Sequence, residues 1–339
     1  MNKHTNKELL LPAIKVQHEF PVNMADDDIS DFKDQQVYTT NDVFLKSFGK
    51  ASVSADSVVY KNGIVLKENL VPTANKNYYQ SRYLLKNLLF AKKNVLSGSR
   101  YLLVTDSWSA GHFHWLCDVL PKLLCIKGRA KEFKLLLPDT SYTRTIGVPS
   151  IQRLGLDFED IVWMKEKNFY RVRDLYYISN VTISGQMNPG IMKTLQQQFS
   201  RQSSARRVYI SRSEAKVRKV VNESALTDLL KAYGFEIVHS EKLSLEDQIT
   251  IYSSCNTLCS IHGAGLTNSL FMPQGTNVIE LRKKENGPFN VGYWHLADAT
   301  GHKYYYYNGT PDSDKPLVGQ GCNLTIGIAD FEKKLLQRL

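Results

Sequence analysis

An imidazole followed by two glycines, His262-Gly263-Ala264-Gly265, is a combination suited to gripping an anion. Glycines let a backbone approach a ligand closely, and the first N–H groups of a helix attract negative charge. The flanking pattern predicts that arrangement: residues 257–261 read as a buried strand and 266–271 as a short apolar helix, with Leu266 its first residue. His262 could donate a hydrogen bond to a phosphate or to a sugar hydroxyl. The turn lacks the third glycine of a dinucleotide fingerprint, since Ser269 and Leu270 follow, and it lacks the Lys-Ser/Thr of a P-loop. Taken alone it serves a structural turn as well as a ligand site. A second feature tips the balance. Residues 201–219 hold Arg201, Arg206, Arg207, Arg212, Lys216, Arg218 and Lys219 against a single acid, Glu214. Guanidinium forks match phosphate oxygens. Arg207, Arg212 and Arg218 fall at or just beyond a strand expected in the same sheet. A diphosphate held between these arginines and a helix start needs no metal ion, so activity should survive a chelator. Glu280, at the end of the next strand, could accept hydrogen bonds from a ribose or sugar hydroxyl, or pair with Arg282.

The other stretch rich in reactive side chains is Gly111-His112-Phe113-His114-Trp115-Leu116-Cys117-Asp118-Val119-Leu120-Pro121. If 114–125 is helical, His114 and Asp118 stand four apart and share a face. A carboxylate beside an imidazole can act as a general base; the same pair can also merely fix a helix start. His112 and His114 could touch a metal, but no third ligand is evident. Trp108 and Trp115 are either core residues or a platform for a sugar ring.

The elements that must position these groups follow from periodicity. Residues 50–72 alternate apolar and polar around Lys61-Asn62-Gly63, a hairpin signal. Residues 77–92 read as an amphipathic helix, and 101–106, 134–139 and 174–179 as strands. The second half predicts strands at 207–212, 235–238, 257–261 and 277–281, separated by helices, with Gly234 closing one helix and Ser244 capping the next. Right-handed crossovers make such an alternation a parallel, doubly wound α/β sheet. Tyr304-Tyr305-Tyr306-Tyr307 reads as a strand rather than a cleft lining. The expected division is 1–190, 191–325 and a C-terminal helix, 326–339, with the boundary near 185–200.

The bulk properties bound the function. The chain has 339 residues, 42% hydrophobic and 22% charged, which suits two folded domains and not a disordered chain. Its net charge of +10 favours anionic partners. The charge is concentrated in one cluster, which fits a compact anion better than a long duplex. Nucleic acid is disfavoured further because only Tyr209 is interleaved with the basic residues there. An oxidoreductase is a rival, opposed by the missing third glycine and by the lack of any acid but Glu285 near the ribose-binding distance. Five cysteines make no disulfide framework; Cys117, Cys125, Cys255 and Cys259 read as buried thiols, and no Cys-x2-Cys pair suggests zinc. The opening MNKHTNKELLLPAIKV has no signal-peptide pattern, and no run reaches the ~18 apolar residues of a membrane span. The expectation is a cytoplasmic protein whose positive charge suits the inner face of an anionic membrane.

Two stretches resemble a known family. HWLCDVLPKL is similar to the His-Trp-Leu-x-Asp-x-Leu-Pro segment of glycosyltransferase family 61. RRVYISRSEAKVRKVVNE, SLEDQITIYSSC and SIHGAGLTNSLFMPQGTNVIEL resemble that family's C-terminal half, in the family's order. The resemblance covers roughly 100–125 and 205–282. It implies a GT-B fold, two Rossmann-like domains facing across a cleft, and transfer with inversion and without a catalytic metal or other cofactor. It implies that Arg207, Arg212, Arg218, His262, Gly263, Ala264, Gly265, Leu266, Asn268 and Glu280 fall in the half that binds a nucleoside-diphosphate sugar. The donor expected is a UDP-sugar. His114 and Asp118 fall in the half that binds a glycan or lipid-linked acceptor. The missing leader suggests a bacterial-type member acting in surface-polysaccharide synthesis. Asp26-Asp27-Asp28 invites comparison with the Asp-x-Asp metal site of other glycosyltransferases. It follows Pro21-Val22-Asn23-Met24 and no buried strand, and so reads as a loop or helix start.

Overall fold

The computed structural model describes residues 7–71, 73–182, 185–199, 205–285, 288–317 and 321–339. Arg201 of the basic cluster lies outside them. The chain forms two compact units, one built from Met1–Ala13 and Asn41–Val181 and the other from Ile14–Thr40 and Thr182–Leu339. It is mixed α/β throughout.

The first unit is a nine-stranded sheet. Its strands are β1 (Lys7–Leu11), β2 (Val43–Ser54), β3 (Val59–Lys61), β4 (Ile64–Val65), β5 (Lys92–Leu96), β6 (Tyr101–Leu103), β7 (Lys134–Pro138), β8 (Asp160–Met164) and β9 (Asn168–Ile178). The order is β8-β7-β6-β9-β2-β3-β4, with β1 on β2 and β5 on β9. The β8-β7-β6-β9 portion is parallel, whereas β9, β2, β3 and β4 run antiparallel to one another. The sheet is therefore mixed, where a Rossmann-like unit would be parallel. The antiparallel half comes from the β2–β4 hairpins, whose turn Lys61-Asn62-Gly63 was legible as a hairpin signal. Phe48, Val53, Leu103, Leu136, Leu175 and Tyr177 pack on one face as a continuous core.

The second unit holds a five-stranded, fully parallel sheet: β10 (Arg206–Ile210), β11 (Phe235–Val238), β12 (Cys255–Ile261), β13 (Asn277–Arg282) and β14 (Lys303–Asn308). The order is β11-β10-β12-β13-β14. Helices α1 (Pro189–Gln197), α2 (Glu223–Ala232), α3 (Leu245–Tyr252), α4 (Gly292–Ala299) and α5 (Ile328–Lys334) accompany it. The four tyrosines 304–307 lie on β14. Between β12 and β13 the expected short helix is a 3-10 helix, Ala264–Phe271. Tyr209, Leu230, Cys259, Ile279 and Leu281 form the core with Phe331 of α5. The C-terminal helix is thus part of this unit's packing and not an appendage.

Residues 14–40 were expected with the first domain but belong to the second unit. The physical reason is aromatic burial and charge pairing. Phe32 is fully buried, edge-on to Trp294 at 5.1 Å, and Asp31 pairs with the buried Arg282 at 3.3 Å. Trp294 Nε1 donates to the Glu19 carbonyl. Asp26–Asp28 is a 3-10 turn whose last carboxylate accepts from Lys284, Tyr306 and Asn308. Nothing in the local pattern of 14–40 announces these long-range partners.

Candidate functional sites in the two units

The order β11-β10-β12 means that the chain leaves β10 in one direction and returns on its other side. Ligands of doubly wound sheets sit beyond the strand carboxyl ends at such a switch point. The residues that follow β10 and β12 there are Arg212 and His262. Gly263 joins them. Its backbone, φ +155° and ψ 172°, lies in a region open essentially to glycine, and a Cβ there would stand 2.9 Å from Arg212 Nη1. The missing side chain is the space that the Arg212 guanidinium occupies. Gly265 likewise lets the turn settle on Ile210, with a Cβ contact of 3.1 Å. Ala264 begins the 3-10 helix, and Leu266 and Asn268 face inward, fully buried. Asn268 hydrogen-bonds Tyr252.

His262 is buried and held on two sides. Its Nδ1 is 2.5 Å from Glu280 Oε1, and Tyr293 stands edge-on at 5.0 Å. Glu280 is wholly buried and accepts from Tyr304 through Oε2 at 2.6 Å. Both its oxygens are therefore engaged, neither by Arg282. Glu280 thus holds Nδ1 of His262, so that a further partner of this ring would have to meet Nε2.

Arg212 Nε and Nη2 donate to the carbonyls of Arg218 and Val217 at 3.2 and 3.4 Å. Burial, and then the charge of Arg218 alongside, lower the Arg212 pKa from its usual value. Arg218 has a positive φ of 60°, and its Nε is buried without a hydrogen-bond partner among the described residues. Neither arginine forms an ion pair among the described residues. Two adjacent, partly desolvated guanidiniums, with Glu241 acting on Arg212 only at a distance, favour an anion. Arg207 is not with them. It is the second residue of β10, level with Phe235 and Thr257 at the amino edge of the sheet, and its Nη1 donates to the Tyr233 carbonyl at the end of α2. Across the length of β10 that is roughly 15 Å from the switch point. Arg206 and Lys242, too, are neutralised, by Glu236 and Glu214.

In the first unit, helical turns run without a break from residue 112 to 124, and Trp115–Val119 is a π turn. Pro121 explains it: with no N–H and a ring that crowds the carbonyl four residues back, it makes a wider turn the cheaper one. Across the start of that turn His114 Nδ1 meets Asp118 Oδ2 at 2.8 Å, and both side chains remain partly exposed. Trp108 leans on the His114 ring at 4.9 Å. Trp115 is core: it is fully buried, and its Nε1 donates to Ser150 Oγ at 2.9 Å. His112 goes to the Tyr142 hydroxyl. One residue escaped the sequence reading. Lys122, a turn beyond Asp118, is fully buried, donates to the Val104 carbonyl at 3.2 Å and feels the charges of Asp106 and Asp118. Desolvation lowers its pKa. A lysine after Pro121 carries no local sign of burial; only the fold reveals it. Beside this segment a cavity of about 330 Å³ is lined by Thr105, Asp106, Ser109, Trp115, Asp139 and Glu166, among others. Of the cysteines, Cys125 is half-buried and the others buried, all as free thiols.

Part of the chain is similar to glycosyltransferases. Residues 112–279 match the family model described as Glycosyltransferase 61, which supports membership of that family. Both reactive constellations lie within or at the edge of the matched region. The chain is also similar to two proteins named EGF domain-specific O-linked N-acetylglucosamine transferase. The one from Drosophila melanogaster is 36% identical over 88 residues, 25% of this chain and 17% of that protein. The one from Bos taurus is 29% identical over 194 residues, 49% of this chain and 36% of that protein. The chain thus spans well under half the length of these relatives. No helix of the described residues is long and apolar enough to cross a membrane.

Proposed function

We propose that the chain transfers a sugar from a nucleoside-diphosphate donor to a hydroxyl of a glycan or glycolipid, with inversion and without a catalytic metal. The observation that carries the donor half is the pair Arg212–Arg218, partly buried and in no direct ion pair among the described residues, beside the His262–Gly265 turn at the switch point. The sugar class draws on the relatives' names, which print N-acetylglucosamine; UDP is the nucleotide expected from the sequence. In this reading Arg212, Arg218 and His262 Nε2 bind the diphosphate and stabilise charge as it leaves. Asp118, its Oδ2 held by His114, takes the proton of the acceptor hydroxyl while that oxygen bonds to the anomeric carbon and the bond to the diphosphate breaks. Arg207 has no part in donor binding, and Glu280 acts only through His262.

The test is Asp118→Asn, assayed for transfer and for donor binding. Loss of about 10²–10⁴-fold in kcat is expected for a general base, with the donor Kd unchanged. An active Asp118→Asn enzyme would assign the base elsewhere. Activity abolished by EDTA would refute the metal-independent part.

A further inference from the structure

Residues 76–90 of the first unit form one continuous helical stretch, ending in the helix Leu84–Phe90. Its inner side is anchored. Tyr79, Tyr83, Leu84 and Ala91 pack on Val58, Tyr60, Val65 and Phe169, and Gln80 bonds Val65 N and the Gly63 carbonyl of the neighbouring hairpin. A surface helix anchored along one stripe ordinarily turns polar residues outward. Here Leu85, Leu88 and Leu89, at helical spacing outside that stripe, are 56%, 46% and 64% exposed, and Phe90 is 80% exposed. Val95, on the edge strand β5, is 63% exposed as well.

The charge along this stretch of sequence is one-sided, although Asp56 meets the anchored side of the helix at Tyr83. Between Glu68 and Asp106 the chain has no acidic residue, but it has Lys76, Arg82, Lys86, Lys92, Lys93 and Arg100. Arg100 pairs with Glu132, and Lys93 closes the helix by donating to the Asn87 and Ala91 carbonyls. Lys76, Arg82, Lys86 and Lys92 form no ion pair among the described residues and stand exposed. A second copy on this face would set these cations against their own equivalents, because a two-fold interface is self-complementary. A surface both apolar and anionic meets the whole pattern, and a lipid bilayer with acidic headgroups is such a surface.

We propose that this face of the first unit rests on an anionic bilayer, with Leu88, Leu89 and Phe90 entering the boundary of headgroups and acyl chains and the four cations facing lipid phosphates. The inference is independent of the transferase reading. Its test is co-sedimentation of the full chain with vesicles of phosphatidylcholine alone, or with about one third phosphatidylglycerol. Two variants accompany it, Leu89→Ser with Phe90→Ser, and Lys86→Glu with Lys92→Glu. The wild type should bind the mixed vesicles and bind the neutral ones about tenfold more weakly. Each variant should lose about tenfold in binding to the mixed vesicles. All four side chains are exposed, so melting temperatures should not move; a variant that does not fold is replaced by its two single substitutions. No binding of wild type to the mixed vesicles overturns the proposal, as does an apolar variant that binds like wild type. A dimer in light scattering that Leu89→Ser with Phe90→Ser dissolves would assign the face to a second copy instead.

Discussion

Arg207 and Arg212 differ by five positions in one basic run, and the structure gives them opposite ends of a strand. Composition and spacing made them equivalent candidates; only the strand's length and the sheet's polarity separate them. Arg207→Ala should therefore leave nucleotide affinity unchanged and cost only a few tenths to 1 kcal/mol of stability, the value of a cation at a helix C-terminus. Arg212→Ala should weaken binding of a nucleoside diphosphate by at least roughly tenfold, the loss of a charge-assisted hydrogen bond. Titration calorimetry with the two variants separates these outcomes. Gly263→Ala adds a methyl 2.9 Å from the Arg212 guanidinium in a backbone conformation that alanine resists. It should cost about 1–3 kcal/mol of stability and disturb donor binding together with it; an alanine variant with wild-type melting and wild-type affinity would show that the turn relaxes freely. The role of Glu280 was legible only in part. Its place at a strand end was evident, but its engagement by His262 and Tyr304 depends on β12, β13 and β14 lying side by side.

At the scale of elements, periodicity served the second unit well because each of its strands is a short apolar run between a helix and a turn. The parallel sheet, the turn after β12 and the helix cap at Ser244 all follow from such local signals, and Ser244 does accept from Asp247 N. The first unit was harder. Its long strands β2 and β9 pair antiparallel across more than a hundred residues, a contact that no local pattern encodes. Nor does periodicity reveal the π turns: of the three among the described residues, Tyr79–Tyr83, Trp115–Val119 and Thr143–Gly147, the last two stand just ahead of a proline, Pro121 and Pro149. These two turns meet at Trp115: a Cβ on Gly147 would lie 2.7 Å from its ring. Gly147→Ala should destabilise the first unit by about 1–3 kcal/mol through overpacking and lower transfer by displacing the segment that carries His114 and Asp118. Thermal melting and kcat measured on the same preparation check this; a variant with unchanged melting would mean that the ring has room to move.

For the molecule as a whole, the second unit buries two neutral histidines. Burial lowers His302 to about 4 and His295 to about 3, from 6.5. In the unfolded chain both would take up protons near pH 6.5. The folded state declines them until far lower pH, so their contribution to stability is complete above about pH 6.5 and is lost as the pH falls toward 4. Each contributes a slope of roughly 1.4 kcal/mol per pH unit in that window. Urea unfolding at pH 7.5 and 5.5 measures it, and a stability unchanged between the two contradicts it. The proposal that the switch point of the parallel sheet binds a nucleotide sugar, and that Asp118 takes the acceptor's proton, assigns different losses to different variants. The most direct test measures donor binding and transfer side by side in Arg212→Ala, His262→Ala and Asp118→Asn. The account predicts that the first two lose nucleoside-diphosphate affinity while Asp118→Asn binds normally and does not transfer. Wild-type affinity in both Arg212→Ala and His262→Ala would contradict it.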